Sequence, residues 1–226
     1  SPLPSGWCRP LVDVSGTIHV RRAVGRLLEV TQVLNLNHLL AGSLCYTLAQ
    51  RLEEREDAVG TCRRSENSSM QGLIQDGNGE ECVRLSENLE HAAGLEPRQV
   101  RVQIMAAGVC GSDLSCVHGK YYMPTPLVPG HEAAGVVVEV GGAVTYCTVG
   151  DHVVLSTFGN CGHCPTCEAG DPGNWGFGGL RYTHSEGDQD LWGFANLGAF
   201  SQETILHENQ AVPIPKEVQL SSAALI

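Results

Sequence analysis

The chain has 226 residues, of which 42% are hydrophobic, so it can form one large domain or two small ones. Its 25 acidic residues outnumber 14 Lys and Arg, giving a net charge of −11. This balance argues against a nucleic-acid partner and against an anionic membrane surface. No apolar run could span a bilayer, and no export signal is visible at the N-terminus, so we expect a cytoplasmic protein. Ten cysteines in such a chain indicate thiols and metal ligands rather than disulfides.

The N-terminal part, residues 1–90, carries no motif with a recognisable chemistry. Between residues 27 and 55, leucines recur at helical spacing, and one helix face could hold Leu36, Leu39, Leu40, Leu44 and Leu48. From residue 57 to 90 the composition is polar and rich in turn-forming residues. We therefore predict an atypical N-terminal segment over 1–90 that is partly helical or disordered, acting as an extension and linker.

The C-terminal part looks ordered and rich in strands. Alternating or β-branched runs separated by Gly and Pro occupy 99–109, 132–144, 149–156 and 199–215, the last broken by Pro213 and Pro215. Many short strands with this punctuation are typical of a β-barrel or sandwich.

Three short stretches carry residues with metal chemistry. They are GVCGSDL (108–114), GHE (130–132) and CGHCPTC (161–167). Thiolate and imidazole ligands can hold a catalytic zinc that keeps one position open, and such an ion can polarise an alcohol or carbonyl. A lone Cys or His is most often structural, so the combination and order of the stretches carry the information.

In this combination the stretches resemble the zinc-dependent medium-chain alcohol dehydrogenases. GHEAAGVVVEVGGAV (130–144) matches the zinc signature of that family, and AAGVCGSDL, PLVPGHE, VGDHVV and CGHCPTC also occur in the family's order. The resemblance covers about residues 95–226. It implies that 95–226 form a GroES-like β-barrel catalytic domain, so that the fold class is mainly β with some α.

The resemblance implies a role for each residue of the catalytic site. Cys110 and His131 would be zinc ligands, and Glu132 would lie beside the metal as an alternate ligand. Asp113 would orient the ligand histidine, a task that carboxylates perform in many metal sites. Ser112 would pass the substrate proton outward.

The outer part of that proton path departs from the family pattern. Many members continue it with a histidine, and this chain has Ser115 at that position. His118 is close in sequence and is an alternative relay residue.

The cysteine stretch resembles the family's structural zinc lobe with one ligand replaced. Cys161, Cys164 and Cys167 have ligand spacing, but the family's fourth cysteine falls on Trp175. The alternatives are a water ligand, a vestigial lobe, or a replacement ligand among Glu168, Asp171, His163 and His184.

The family's second domain is a Rossmann domain that binds NAD(P), and we predict that it is absent here because no G-x-G-x-x-G turn occurs. The C-terminal SSAALI resembles the segment just before the family's third zinc ligand. We expect a catalytic-domain fragment that acts on a small-molecule alcohol or aldehyde in the intact enzyme and is inactive alone. The alternative function is a non-catalytic zinc-binding or interaction module. The sequence leaves open whether the chain forms a homo-oligomer.

Overall fold

The structure is a computed structural model that describes residues 39–41, 69–120, 123–161, 164–171 and 181–226. Its strands are β1 (Leu39–Ala41), β2 (Met70–Gln75), β3 (Val83–His91), β4 (Gln99–Val109), β5 (Leu127–Val128), β6 (Glu132–Val140), β7 (His152–Leu155), β8 (Tyr182–Glu186), β9 (Gln189–Gly193), β10 (Glu203–His207) and β11 (Ala211–Ile214). The described residues also form three short α-helices, which are α1 (Gly111–Val117), α2 (Pro165–Glu168) and α3 (Leu220–Ala223). No helix in these ranges has the length and apolar character that crossing a membrane requires.

The strands form two sheets. One has the order β1-β4-β6-β7-β11, with β10 also paired to β4, and the other closes as the barrel β2-β3-β8-β9-β5. The core contains Phe200, which is fully buried and whose backbone bonds to Pro129 and Leu73. The mainly β fold expected from the sequence is confirmed, since each of the four strand-like runs contains at least one strand.

Two expectations for the N-terminal segment are wrong. The stretch read as a polar linker contains β2 and β3, which pair as an antiparallel hairpin of the closed barrel. Among the described residues of that stretch, the polar positions lie in the turn at residues 76–82 and on the exposed face of β3, whereas β2 is almost entirely buried. Residues Leu39–Ala41 form a strand on the edge of β4 instead of a helix; the remaining leucines of that predicted helix lie outside the described residues.

Glu208 is a fully buried carboxylate that joins three parts of the chain. Its Oε2 accepts hydrogen bonds from the backbone N–H groups of Thr145 (2.8 Å) and Tyr146 (3.0 Å). Its Oε1 accepts a bond from Arg98 Nε at 2.9 Å. A buried carboxylate is tolerated when its charge is paired and its oxygens are bonded in this way.

His184 is a fully buried histidine on β8. Its Nε2 lies 3.0 Å from the Glu203 carbonyl oxygen, which only accepts, so Nε2 carries the proton. Its Nδ1 lies 2.8 Å from the Thr183 hydroxyl, which donates to it. Burial, with a contribution from His91, lowers the pKa of His184 to about 3. The ring is therefore neutral and structural.

We expect Glu208→Gln to lower the free energy of unfolding by about 1–3 kcal/mol, because an amide group cannot accept all three bonds. Urea denaturation followed by circular dichroism measures this change. The matched control is Glu139→Gln, which removes the ion pair between Arg101 and the half-exposed Glu139. It should cost at most about 1 kcal/mol. Equal losses in the two variants would contradict the structural role assigned to Glu208.

The stability of the barrel should fall as the pH falls below 6.5, because the unfolded chain then takes up a proton that folded His184 does not. The slope is about 1.4 kcal/mol per pH unit until the folded pKa is reached. Urea denaturation at neutral pH and near pH 5 should show this loss in the native chain and in His118→Gln. In His184→Gln, which keeps a donor for Glu203, the loss should be about 2 kcal/mol smaller. The same pH dependence in all three would refute the assignment.

Candidate metal centre

The register between β4 and β6 brings two predicted ligands together. The antiparallel pair aligns Gly108 with Glu132. Cys110 follows just beyond β4, and His131 comes just before β6, so both lie at the same end of the strand pair. Backbone pairing thus explains how residues 21 positions apart in sequence reach the same end of the sheet.

The start of helix α1 fixes the backbone of Cys110. Cys110 is the N-cap residue, and its backbone N–H donates to Asp113 Oδ2 at 2.9 Å. In return the Cys110 side chain accepts a bond from the backbone of Asp113, which forms a capping box. The thiol is therefore held at the helix start, on the side that faces β6.

The same carboxylate orients His131. Asp113 is buried, and its Oδ1 accepts from the backbone N–H of Gly130 at 3.3 Å and from His131 Nδ1 at 3.2 Å. Gly130 has a φ of 93°, and a Cβ there would lie 2.6 Å from the Phe200 ring, so glycine is required. Burial lowers the pKa of His131, but the carboxylate of Asp113, with a smaller effect of Cys110, raises it to about 9.

Ser112 lies against both ligand atoms. Its Oγ is 3.1 Å from Cys110 Sγ and 3.0 Å from His131 Nε2. The hydroxyl thus contacts both candidate ligand atoms, and its role in passing on the substrate proton stays a prediction. His118 lies 3.5 Å from Glu80 Oε1, and its role as an outer relay residue stays a prediction.

The donor set fits zinc. Cys110, His131 and Glu132 each offer a ligand atom, and these atoms lie within 4.8 Å of one another. A thiolate, an imidazole and a carboxylate are the ligand types that zinc accepts in catalytic sites. The Glu132 carboxylate lies over Gly108, where an added Cβ would come within 2.8 Å of Oε2, so the small residue leaves it room.

Phe194 is a site residue that the sequence reasoning missed. Its ring meets the His131 ring edge-on, with centroids 4.7 Å apart. It packs with Cys116 and Leu127, and with the partly buried Trp192, into an apolar wall. Within the stretch LWGFANLGAF an aromatic residue looks like ordinary core, so no sequence signal pointed to it.

The three cysteines of the CGHCPTC stretch also come together. Cys164 is the N-cap residue of α2, and Cys161, Cys164 and Cys167 place their sulfurs within 4.8 Å of one another. The Cys164 and Cys167 sulfurs are 3.4 Å apart. A hydrogen bond with the Thr166 hydroxyl, followed by contacts with Cys167 and Cys161, lowers the pKa of Cys164 to about 6.

The prediction that His184 could be the fourth ligand of this lobe is wrong, because both of its ring nitrogens form hydrogen bonds within the barrel, to Thr183 and Glu203. Glu168 and Asp171 do not join the cysteines as a ligand group among the described residues. His163 and Trp175 lie outside the described residues.

Comparisons with known proteins identify the domain that carries this site. The alcohol dehydrogenase GroES-like domain family matches residues 96–216, more than half of the chain. Alcohol dehydrogenase B of Mycobacterium tuberculosis is 37% identical over 144 residues, which are 58% of this chain and 38% of that protein. The chain thus spans well under half the length of such relatives.

Solved structures of alcohol dehydrogenases also match the fold of this chain. An alcohol dehydrogenase zinc-binding domain protein from Burkholderia ambifaria matches with a TM-score of 0.59 and 29% identity, over 68% of this chain and 44% of that one. Benzyl alcohol dehydrogenase from Acinetobacter calcoaceticus matches with a TM-score of 0.58 and 28% identity, over 70% and 44%. By its sequence motifs, its barrel and these matches, the chain belongs to the zinc-dependent medium-chain alcohol dehydrogenase family, of which it contains the GroES-like domain.

Proposed function

We propose that this chain is the zinc-binding part of an enzyme that interconverts small-molecule alcohols and aldehydes with NAD(P), and that Cys110, His131 and Glu132 hold the catalytic zinc. The observation that carries the proposal is the grouping of these three donors within 4.8 Å at one end of the β4–β6 pair. Zinc, when bound, supplies a Lewis acid that polarises the substrate oxygen.

Asp113 prepares His131 for this task. By accepting a bond from His131 Nδ1, the carboxylate directs the ring so that Nε2 faces Cys110 and Ser112. A carboxylate in this position fixes the tautomer and increases the basicity of the ligand nitrogen. The same carboxylate holds the Cys110 backbone, so one group sets the spacing between the two ligands.

Ser112 and Phe194 act on the substrate side of the site. The Ser112 hydroxyl, 3.0 Å from His131 Nε2, is positioned to accept the proton that an alcohol loses and to pass it away. Phe194 and the apolar wall behind it present hydrocarbon next to the ligands. We propose that this wall receives the carbon part of the alcohol and keeps water from the reacting carbon.

Hydride transfer needs NAD(P) held against the substrate. The 226 residues contain no G-x-G-x-x-G turn, so we propose that the nicotinamide is held by polypeptide outside them. On this proposal the 226 residues alone do not reduce NAD(P) in the presence of an alcohol. A non-catalytic zinc-binding role is the alternative, which the metal measurements below distinguish.

Zinc content should respond to the loss of Cys110. The purified chain should bind zinc, measured by atomic emission after desalting, and Cys110→Ser should lose the part held at the catalytic site because a ligand is removed. Cys147→Ser, which changes a buried thiol outside both groups, should keep the native content. If Cys110→Ser keeps all the zinc and Cys164→Ser loses it, the metal occupies only the lobe and the non-catalytic alternative is correct.

Asp113→Asn should weaken zinc binding at the catalytic site by about 10- to 100-fold, the usual effect of removing the group that orients a ligand histidine. The measurement is competition with a chromogenic chelator, made in a Cys164→Ser background so that the lobe does not contribute. The control is Asp151→Asn, which alters a loop carboxylate bonded to Thr148 and should leave the affinity unchanged. Circular dichroism checks that both variants are folded. Unchanged affinity in folded Asp113→Asn would contradict the orienting role.

A further inference from the structure

Among the described residues, the cysteine lobe has three of the four ligands that a complete structural zinc site needs. Cys161, Cys164 and Cys167 gather their sulfurs, yet no carboxylate or imidazole of the described residues belongs to the same group. At residue 175, where the resemblance places a fourth cysteine, the chain has tryptophan, which offers no ligand atom. The structure therefore presents a set of three sulfur donors.

Three sulfurs do not complete a structural zinc site. Structural zinc is almost always held by four protein ligands in a tetrahedron, so a three-thiolate site leaves one position to water. Thiolates are soft donors and select thiophilic ions. An ion that is complete with three sulfur bonds, and that has a lone pair in the fourth direction, needs nothing further from the protein.

We propose that the lobe formed by Cys161, Cys164 and Cys167 is a three-thiolate site that binds trivalent arsenic, presented as arsenite, and gives up zinc to it. Arsenous acid reacts with three thiols to form three As–S bonds and release three water molecules; where zinc holds the thiolates, Zn²⁺ leaves and the solvent supplies the three protons. No electrons are transferred, and arsenic stays trivalent. This inference does not depend on the catalytic centre.

The local backbone supports such a site. Hydrogen bonds from Glu168 N–H to the Cys164 carbonyl (2.9 Å) and from Gly170 N–H to the Cys167 carbonyl (3.0 Å) fix the turn that carries two of the cysteines. The Cys164 and Cys167 sulfurs already lie 3.4 Å apart, so both can bond to one atom without refolding the turn. All three side chains are partly exposed, which gives a reagent access. Arsenous acid is uncharged at neutral pH, so the net charge of −11 does not repel it.

The test is an arsenite titration of the reduced, zinc-loaded chain. Bound arsenic is measured by mass spectrometry after desalting, As–S bonds by their near-ultraviolet charge-transfer absorption, and released zinc by a chromogenic chelator. We expect one arsenic per chain to displace the lobe's zinc. Cys161→Ser, Cys164→Ser and Cys167→Ser should each weaken arsenic binding about tenfold or more, the equivalent of at least 1.4 kcal/mol. Cys147→Ser and Cys110→Ser should bind arsenic as the native chain does.

Three further results would overturn the proposal. The first is arsenic binding that is the same in the three lobe variants and in Cys147→Ser, since the arsenic would then be held elsewhere. The second is zinc that arsenite fails to displace from the native chain but does displace from His163→Gln, because the lobe would then be a four-ligand zinc site completed by His163. The third is the loss of arsenic binding in Cys110→Ser alone, which would assign the arsenic to the catalytic ligands instead of the lobe. A failure of the proposed dehydrogenase activity changes none of these readouts.

Discussion

The carboxylate of Asp113 is the group on which the geometry of the candidate metal centre depends. It accepts one hydrogen bond with Oδ2, from the Cys110 backbone, and two with Oδ1, from the Gly130 backbone and the His131 ring. Helix α1 and the turn before β6 are separate segments, and this single buried group ties them together. The relative position of the two proposed ligands, Cys110 and His131, is therefore set by a residue that is not itself one of the proposed ligands.

Backbone pairing supplies the rest of the frame. The β4–β6 ladder decides which residues emerge together at its end, and the buried side chains around Phe200 hold that ladder in place. Gly108 and Gly130 matter because the space next to them is taken by Glu132 and by Phe200. The site thus combines a sheet end with two glycine positions at which a larger side chain would displace Glu132 or the core residue Phe200.

The sequence predicted those parts of the molecule that a short stretch of residues identifies by itself, through its alternation or its motif. The strand β4 alternates clearly, and the motifs around Cys110 and His131 predicted two ligands that the fold places close together. The hairpin β2–β3 was missed because its turn and exposed face dominate the average composition. Phe194 was missed because its importance comes only from its distance to His131, which is a tertiary property. For the same reason sequence proximity could not reject His184 as a ligand.

Strand β1 covers part of a strand edge that would otherwise be open. Along β4, β6 takes one edge, while β10 covers Gln103 and earlier residues on the other, and β1 covers Ala107–Val109. Those last residues lead directly into Cys110, so without β1 their backbone groups would form an open strand edge beside the metal centre. Open edges are where foreign strands add to a sheet. A short parallel strand from the N-terminal segment thus occupies this edge, so the backbone of another molecule cannot pair with the residues that lead into Cys110.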